Sequence, residues 1–442
     1  MKTKHDIILH AFFDHTGIAR HLEKRARQGW MLEHINTNSS FRYRRCEPKD
    51  LRFAVTYFPT ASDYAPEPDE DQQEFYDICA AAGWTFVAQT FQMQIFCNED
   101  PNAVPLETDP SVQLENIHNS LWRNYMGGKF ALLAISLIML FNIGVKFENR
   151  LFATMRSTLM LLIVALFLVL MIHQGVEVAA YYLWRKKALR CAEEQGLFLP
   201  VPGGRVREVF FAALYSLIVI AMLAQMSLPM AVLFLFGVVT FLLILQIAFR
   251  LRDALKKKGV KTGWNYFLTI ALIFALTIGR TLVTDWIQQS DWLKEDTSAT
   301  VELPLTVELL GRSKDAYYDP FYEEEHSPFA STVNGGQIPR EDAPATETRF
   351  FFYIHRSPHA WILRDSQKWQ VFCMGYEFLA LRPTDDERID PAPFGALDAW
   401  ARIEDGYREY LLHYEDCVIQ LSFGWPPTEE QLHTAIESLR TA

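Results

Sequence analysis

Apolar residues are distributed unevenly along this chain of 442 residues. They come in short runs at the start, fill stretches of about twenty between 125 and 286, and return to short runs afterwards. In the first region "DIILHAFF" at 6–13 reads as a strand. Ile18, Leu22 and Ala26 then recur at helical spacing over 17–28, behind a cap at Asp14 or Thr16. The helix stops in "RARQGW" at 25–30: Gly29 supplies the positive φ past the last turn and Trp30 opens a hairpin of "MLEHIN" and "FRYRRC". The same order returns. "LRFAVTYF" at 51–58 is a strand, 70–82 a helix, and Gly83-Trp84 the stop, followed by a hairpin of "TFVAQ" and "FQMQIFC". The two Gly-Trp pairs lie 54 residues apart, so residues 1–100 read as an α+β module of two tandem βαββ units.

A Pro- and acid-rich linker, "EDPNAVPLETDPS", follows, and then the amphipathic "VQLENIHNSLWRNYM"; residues 101–124 are thus a linker and stalk. Over 125–286 the apolar pattern has no polar face. Five segments, near 125–145, 157–178, 207–226, 229–249 and 264–284, are long enough to span a bilayer as helices. Residues 287–442 regain short runs. "TVELPLTVELL" reads as a strand and 312–347, with "DPFYEEEHSP" and "NGGQIP", as loop. "TRFFFYIHR", "WILRD", "WQVFCMGYEFLALRP" and "YREYLLHYEDCVIQLSF" read as strands, and a final helix starts at Thr428. An α+β domain with an antiparallel sheet is expected there.

Charge adds an orientation. Of the net −11, the first 128 residues hold −6, residues 129–286 hold +10 and the remainder −15. Fourteen bases, from Arg123 and Lys129 through Arg185–Arg207 to Arg250–Lys261, fall on one side of the five spans, against Lys146, Arg150, Arg156 and Lys294 on the other. The positive-inside rule then places the N-terminal module in the cytoplasm and the C-terminal domain outside, in a multi-pass membrane protein. Acidic end domains argue against nucleic acid as a partner; the bilayer is the partner the sequence implies.

Little chemistry is visible. His173 and Glu177, i and i+4 on the second span, form the polar pair inside the membrane block. Cys46, Cys79, Cys97 and Cys191 fall on the reducing side, whereas Cys373 and Cys417 fall outside as a candidate disulfide. The histidines lack metal-ligand spacing, and no nucleotide-binding or nucleophile motif occurs. No catalytic residue, cofactor or metal ligand is therefore assigned. "EEE" at 323–325 beside His326 reads as a solvated loop.

The stretches "FF" at 12–13, "HLEKRARQGW" at 21–30, "FRYRR" at 41–45, "FYDICAAAGW" at 75–84 and "QIFC" at 94–97 resemble the bacterial Domain of Unknown Function 2812 family, over about residues 8–100. The resemblance implies a module joined to several membrane spans and a gene beside a PadR-type transcriptional regulator; it implies no activity and no catalytic residues. A tandem βαββ arrangement is also similar to the effector-binding fold of some bacterial regulators. By that analogy a cleft between the units would be lined by Trp30, Phe41, Tyr43 and Trp84, for an unidentified small molecule or protein partner.

The expectation is a multi-domain membrane protein that senses or regulates across the bilayer. It would link an extracytoplasmic domain to a ligand- or partner-binding module, with a PadR-type regulator or another membrane protein as partner. An accessory subunit of a transport complex, or an enzyme anchored to act outside around His355 and His359, are the alternatives.

Overall fold

The computed structural model describes residues 3–7, 12–35, 40–100, 102–145, 147–289, 302–344, 346–374, 386–404 and 407–441. They form two compact units, Met1–Leu137 with Leu168–Lys294, and Ile138–Phe167 with Glu295–Ala442.

In the first unit, β1 (Thr3–Ile7), α1 (His15–Arg27), β2 (Trp30–Ile35) and β3 (Ser40–Arg45) are followed by β4 (Arg52–Tyr57), α2 (Glu70–Ala81), β5 (Thr85–Thr90) and β6 (Met93–Asn98). The strands make two antiparallel three-stranded sheets of matching order, β1-β3-β2 and β4-β6-β5. Each helix is opened by an aspartate: Asp14 accepts from the Gly17 amide and Asp69 from the Gln72 amide. Each is closed by glycine in the left-handed region, Gly29 at φ 78° and Gly83 at φ 80°. The second strand of each half carries a bulge, between Leu32 and His34 in β2 and between Phe86 and Ala88 in β5, again 54 positions apart. β2 runs beside β5, and α1 lies on β4.

The first strand ends earlier than its sequence suggests. Phe12 and Phe13 follow β1 in a turn and pack elsewhere, while residues 8–11 lie outside the described residues. Phe12 stacks on Tyr125 at 5.6 Å between centroids, and Phe13 on Trp184 at 5.5 Å. These rings lead into the rest of the unit. α3 (Pro110–Ser120) continues through a π-helical stretch, Leu121–Met126, into α4 (Gly127–Val145).

After α5 (Phe147–Arg156), a short helix the hydropathy pattern does not reveal, come α6 (Thr158–Gln195), α7 (Arg205–Ala224), α8 (Leu228–Lys257) and α9 (Thr262–Gln288). Among the described residues α6–α9 are long and apolar enough to cross a membrane; α3 and α4, bent by 44°, make a fifth crossing if taken as one span. The chain is therefore a multi-domain, multi-pass membrane protein.

α6 corrects the expected boundary. Its 38 residues extend about 57 Å, roughly twice the ~30 Å hydrocarbon layer. Arg185, Lys186, Lys187 and Arg190, expected in a loop, ride on its second half. There the helical stripe Tyr181, Trp184, Ala188 and Ala192 is buried in the same core as Leu22 of α1, Tyr43 of β3, Phe53 of β4 and Ile117 of α3. Module, stalk and membrane helix thus share one hydrophobic interior.

In the second unit β7 (Tyr318–His326), β8 (Ser331–Pro339), β9 (Phe350–Arg356), β10 (Asp386–Arg388), β11 (Asp398–Glu404), β12 (Tyr407–His413) and β13 (Cys417–Phe423) form an antiparallel sheet of order β10-β11-β12-β13-β9-β8-β7. Strand alternation divides its faces. Cys417, Ile419, Leu421 and Phe423 meet Leu432, Ala435 and Ile436 of α11 (Glu429–Thr441); Val418 meets Ile362 and Leu363 of α10 (Ala360–Met374) and Phe152 of α5.

Four expectations fail here. Residues 312–347 hold β7 and β8 rather than loop. The turn-like "NGG" lies within β8 because a Cβ at Gly335 would sit 2.5 Å from the Phe352 ring, so glycine makes room for it. "EEE" lies on β7, where exposed charge suits an edge strand. "WILRD" is helical, with Ile362, Leu363 and Ser366 buried on one face of α10, and the same helix takes in residues 369–374 of the expected strand "WQVFCMGYEFLALRP", whose remainder lies outside the described residues. The described part of "TVELPLTVELL" forms turns that bury Leu305, Val307 and Leu310 without joining the sheet.

Candidate functional site

Polar groups collect where α4, α6 and α7 meet. Helical spacing brings them there: Glu208, Phe211 and Tyr215 share a face of α7, as His173 and Glu177 do on α6. His173 stacks on Phe211, 4.2 Å between centroids, and its Nδ1 hydrogen-bonds the Tyr215 hydroxyl at 3.0 Å. Its Nε2 lies 3.5 Å from Glu208 Oε2. Glu177, almost wholly buried, pairs with Arg207 and accepts from the Tyr125 hydroxyl at 3.4 Å. Glu208 stands in the first turn of α7, where the helix dipole favours a carboxylate.

The expected pair is thus the nucleus of a larger network. Arg207, Glu208, Tyr215 and Tyr125 escaped the sequence reading because they lie on other elements. Their signal was the charged "RVRE" at the start of an apolar helix.

His173, Glu177 and Glu208 offer ligand atoms within 4.8 Å of one another, a spacing compatible with a metal ion. The donor set argues otherwise. The Arg207 guanidinium already engages both carboxylates, and Lys129 feels both charges. Protein cations balance these anions, so the arrangement is better suited to ion pairing than to coordination.

The aromatic candidates of the module separate. Phe41 and Tyr43 are buried in the core shared with α6. Trp84 is buried between α2 and the sheet with Cys79 and Phe96, its indole N–H donating to the Val104 carbonyl at 3.0 Å. Trp30 alone is partly exposed, with Arg45 over its ring at 5.1 Å.

Trp84 also borders a cavity of about 240 Å³ between α1, β4, the linker and α3, closed on one side by Phe198. A larger groove of about 580 Å³ is lined by Arg44, Arg45, Lys49 and Glu99; Lys49 is spent on Glu99 at 2.7 Å. In the second unit His355 and His359 do not converge. His355 bonds Ser366 at 2.5 Å and stacks on Phe152, whereas His359 lies against Phe329 and Trp361. Cys417 is buried on β13, its thiol pushed up to about 12 by burial and Asp416. Its expected partner Cys373 falls on α10, where its side chain lies outside the described residues.

Comparison with known families agrees with the resemblance. A family described as "Protein of unknown function (DUF2812)" matches residues 16–129. The match runs past the module through the linker and stalk to the start of α4. No curated protein and no solved structure matches the chain.

Proposed function

We propose that the protein is a regulator of the bacterial plasma membrane in which the state of the N-terminal module and that of the membrane helices are read through one another. The observation that carries this reading is the single core in which Phe13, Tyr43, Ile117, Tyr181 and Trp184 pack together. Interiors packed at this density do not deform piecemeal, so a shift of α6 is felt in the module.

Two observations support one orientation. The module packs on helix ends rich in bases: Asp63 pairs with Arg252 at the end of α8, and the Tyr64 carbonyl accepts from Asn265 at the start of α9. The positive-inside rule assigns those ends, and the module with them, to the cytoplasm, leaving residues 287–442 extracytoplasmic. Matching sheet order, bulges and closing glycines at one offset support a tandem duplication within residues 1–100. A PadR-type regulator encoded nearby, or another membrane protein, is the partner class this layout suits.

The test is transcriptional. In the native host, a chain lacking residues 3–100 should alter expression of the neighbouring genes under at least one envelope stress. Expression indistinguishable from that with the full chain under every stress would overturn the reading.

A further inference from the structure

The two halves of the module face one another across the groove of about 580 Å³, and matching positions of each half line it. Met31 opposite Arg44 in the first hairpin corresponds to Thr85 opposite Cys97 in the second. All four line the groove, as do the next matching pairs, Arg45 with Asn98 and Cys46 with Glu99. Strand alternation explains this: Arg44 points away from its buried neighbour Tyr43, and Cys97 away from Phe96. The groove thus lies on the seam between the halves, where β2 and β5 begin side by side. Trp30, Phe41, Tyr43 and Trp84, expected in a cleft between the halves, are not among its walls.

The match between the halves breaks down in charge. The first half and the segment after it contribute Arg44, Arg45 and Lys49, and the second half only Glu99. Lys49 and Glu99 pair at 2.7 Å, but both side chains are more than half exposed, so solvent screens the pair and it is weakly held. Of the acids close by, Glu33 and Asp50 are taken by Arg42 and Arg27, and Glu47 does not line the groove. Arg45 is fixed by a hydrogen bond to the Gln28 carbonyl at 3.0 Å and by the Trp30 ring. Arg44 is left: among the described residues its exposed guanidinium has neither an ion pair nor a hydrogen bond. Leu51 and Cys97, both largely buried, and Met31 beside them supply apolar surface.

We propose that this groove binds a small organic carboxylate, which accepts from the Arg44 guanidinium while its carbon skeleton lies on Met31, Leu51 and Cys97. A planar guanidinium matches a carboxylate with two parallel N–H···O bonds. Arg45, already fixed in place, adds positive potential to the same wall. The volume lies within the range of small-molecule sites. Because the ligand touches both halves, it favours one placement of them over others. Its role as a regulatory signal rests on the function proposed above; its binding does not.

The probes are butyrate, benzoate and phenylacetate, each paired with its uncharged primary amide and added to the full chain in a non-ionic detergent. Binding is read by ligand-observed NMR. It is located by protection of Cys46, the partly exposed thiol of the groove, from N-ethylmaleimide, with Cys191 outside the groove as the internal reference. At least one carboxylate should bind about 10-fold more tightly than its amide, the contribution of roughly one hydrogen bond to a charged group. It should also slow labelling of Cys46 but not of Cys191. Arg44→Gln should remove both the preference and the protection, and Arg44→Lys should keep only part of the preference.

Overlapping melting curves of wild type and Arg44→Gln without ligand would establish that the variant is folded; Arg44→Lys serves as the second variant if it is not. Equal binding of acid and amide, a preference unchanged in the folded variant, unprotected Cys46 at saturation, or no binding by any probe at millimolar concentration would overturn the proposal. Any of these would leave the transcriptional test of the module untouched, because that test uses no ligand.

Discussion

Arg252 and Asp63, 189 positions apart, form an ion pair at 3.3 Å with both side chains largely buried. Asp63 is a brace with two arms. Its Oδ1 accepts from the amide of Phe91, whose φ of 49° marks the tight β5–β6 turn, and its Oδ2 faces Arg252 at the end of α8. Burial raises the Asp63 carboxyl despite Arg252, so the pair is held against a desolvation penalty. Such an arrangement contributes specificity of docking more than net stability.

Removing Arg252 alone should therefore be worse than removing Asp63 alone. Arg252→Ala is expected to lower stability by about 3 kcal/mol, since it strands the buried Asp63, whereas Asp63→Ala should cost less because the Arg252 guanidinium keeps Asp253 at 2.7 Å. The double variant should lose less than the sum, with a coupling of at least about 1 kcal/mol. Denaturant unfolding of the four chains in mild detergent measures this; additive losses would show that the two residues do not act as a pair.

The paired closing glycines should differ in tolerance. Both have positive φ, so alanine is strained at either by about 1–2 kcal/mol. A Cβ at Gly29 would also lie 2.8 Å from the Cys46 carbonyl, whereas at Gly83 the nearest atom is Asn98 Nδ2, a movable side-chain end at 3.2 Å. Gly29→Ala should thus lower the melting temperature more than Gly83→Ala. The reverse order would mean that backbone around Cys46 yields more easily than its packing implies.

Local chemistry was legible in the sequence wherever one element carried its own signal. The caps at Asp14 and Asp69, the glycine stops and the long apolar helices all lie within a few residues of the structure they specify. Signals that depend on a distant neighbour were not. Gly335 looks like a turn until the Phe352 ring opposite it is known, and the three glutamates look like loop until β7 is known to be an edge. For the same reason Glu177 was visible but Arg207 and Tyr125 were not recognised as its partners, and Glu107 read as one more acid in a linker although Thr56 of β4 donates to it.

The second unit should weaken in mild acid through His355. Burial foremost, with the nearby Arg156 charge, lowers this imidazole from its ordinary value of 6.5 to about 3. Between those values the unfolded chain binds a proton that the folded chain refuses, so stability is complete above about pH 6.5 and falls as pH drops towards 3. One such group changes stability by at most about 1.4 kcal/mol per pH unit. Melting temperatures of wild type and His355→Gln from pH 7 to pH 4.5 should converge as the pH falls. Parallel curves would mean that His355 does not titrate in this window.

The network of α6 and α7 makes the sharpest demand on the fold. Glu177 is buried, and Arg207 is the charge that answers it. Arg207→Met should leave the carboxylate with the Tyr125 hydroxyl, Glu208 and the charge of Lys129, and cost about 3 kcal/mol, the lower end of the penalty for breaking a buried pair. Glu177→Gln combined with Arg207→Met removes both charges while keeping similar volumes, and should recover most of that loss. Because Glu177 and Tyr181 are consecutive on one face of α6, the single variant should also expose the module to trypsin, with cleavage at Arg185 to Arg190 as the readout. Unchanged unfolding and unchanged cleavage in Arg207→Met would show that the membrane end of α6 is not held through this pair.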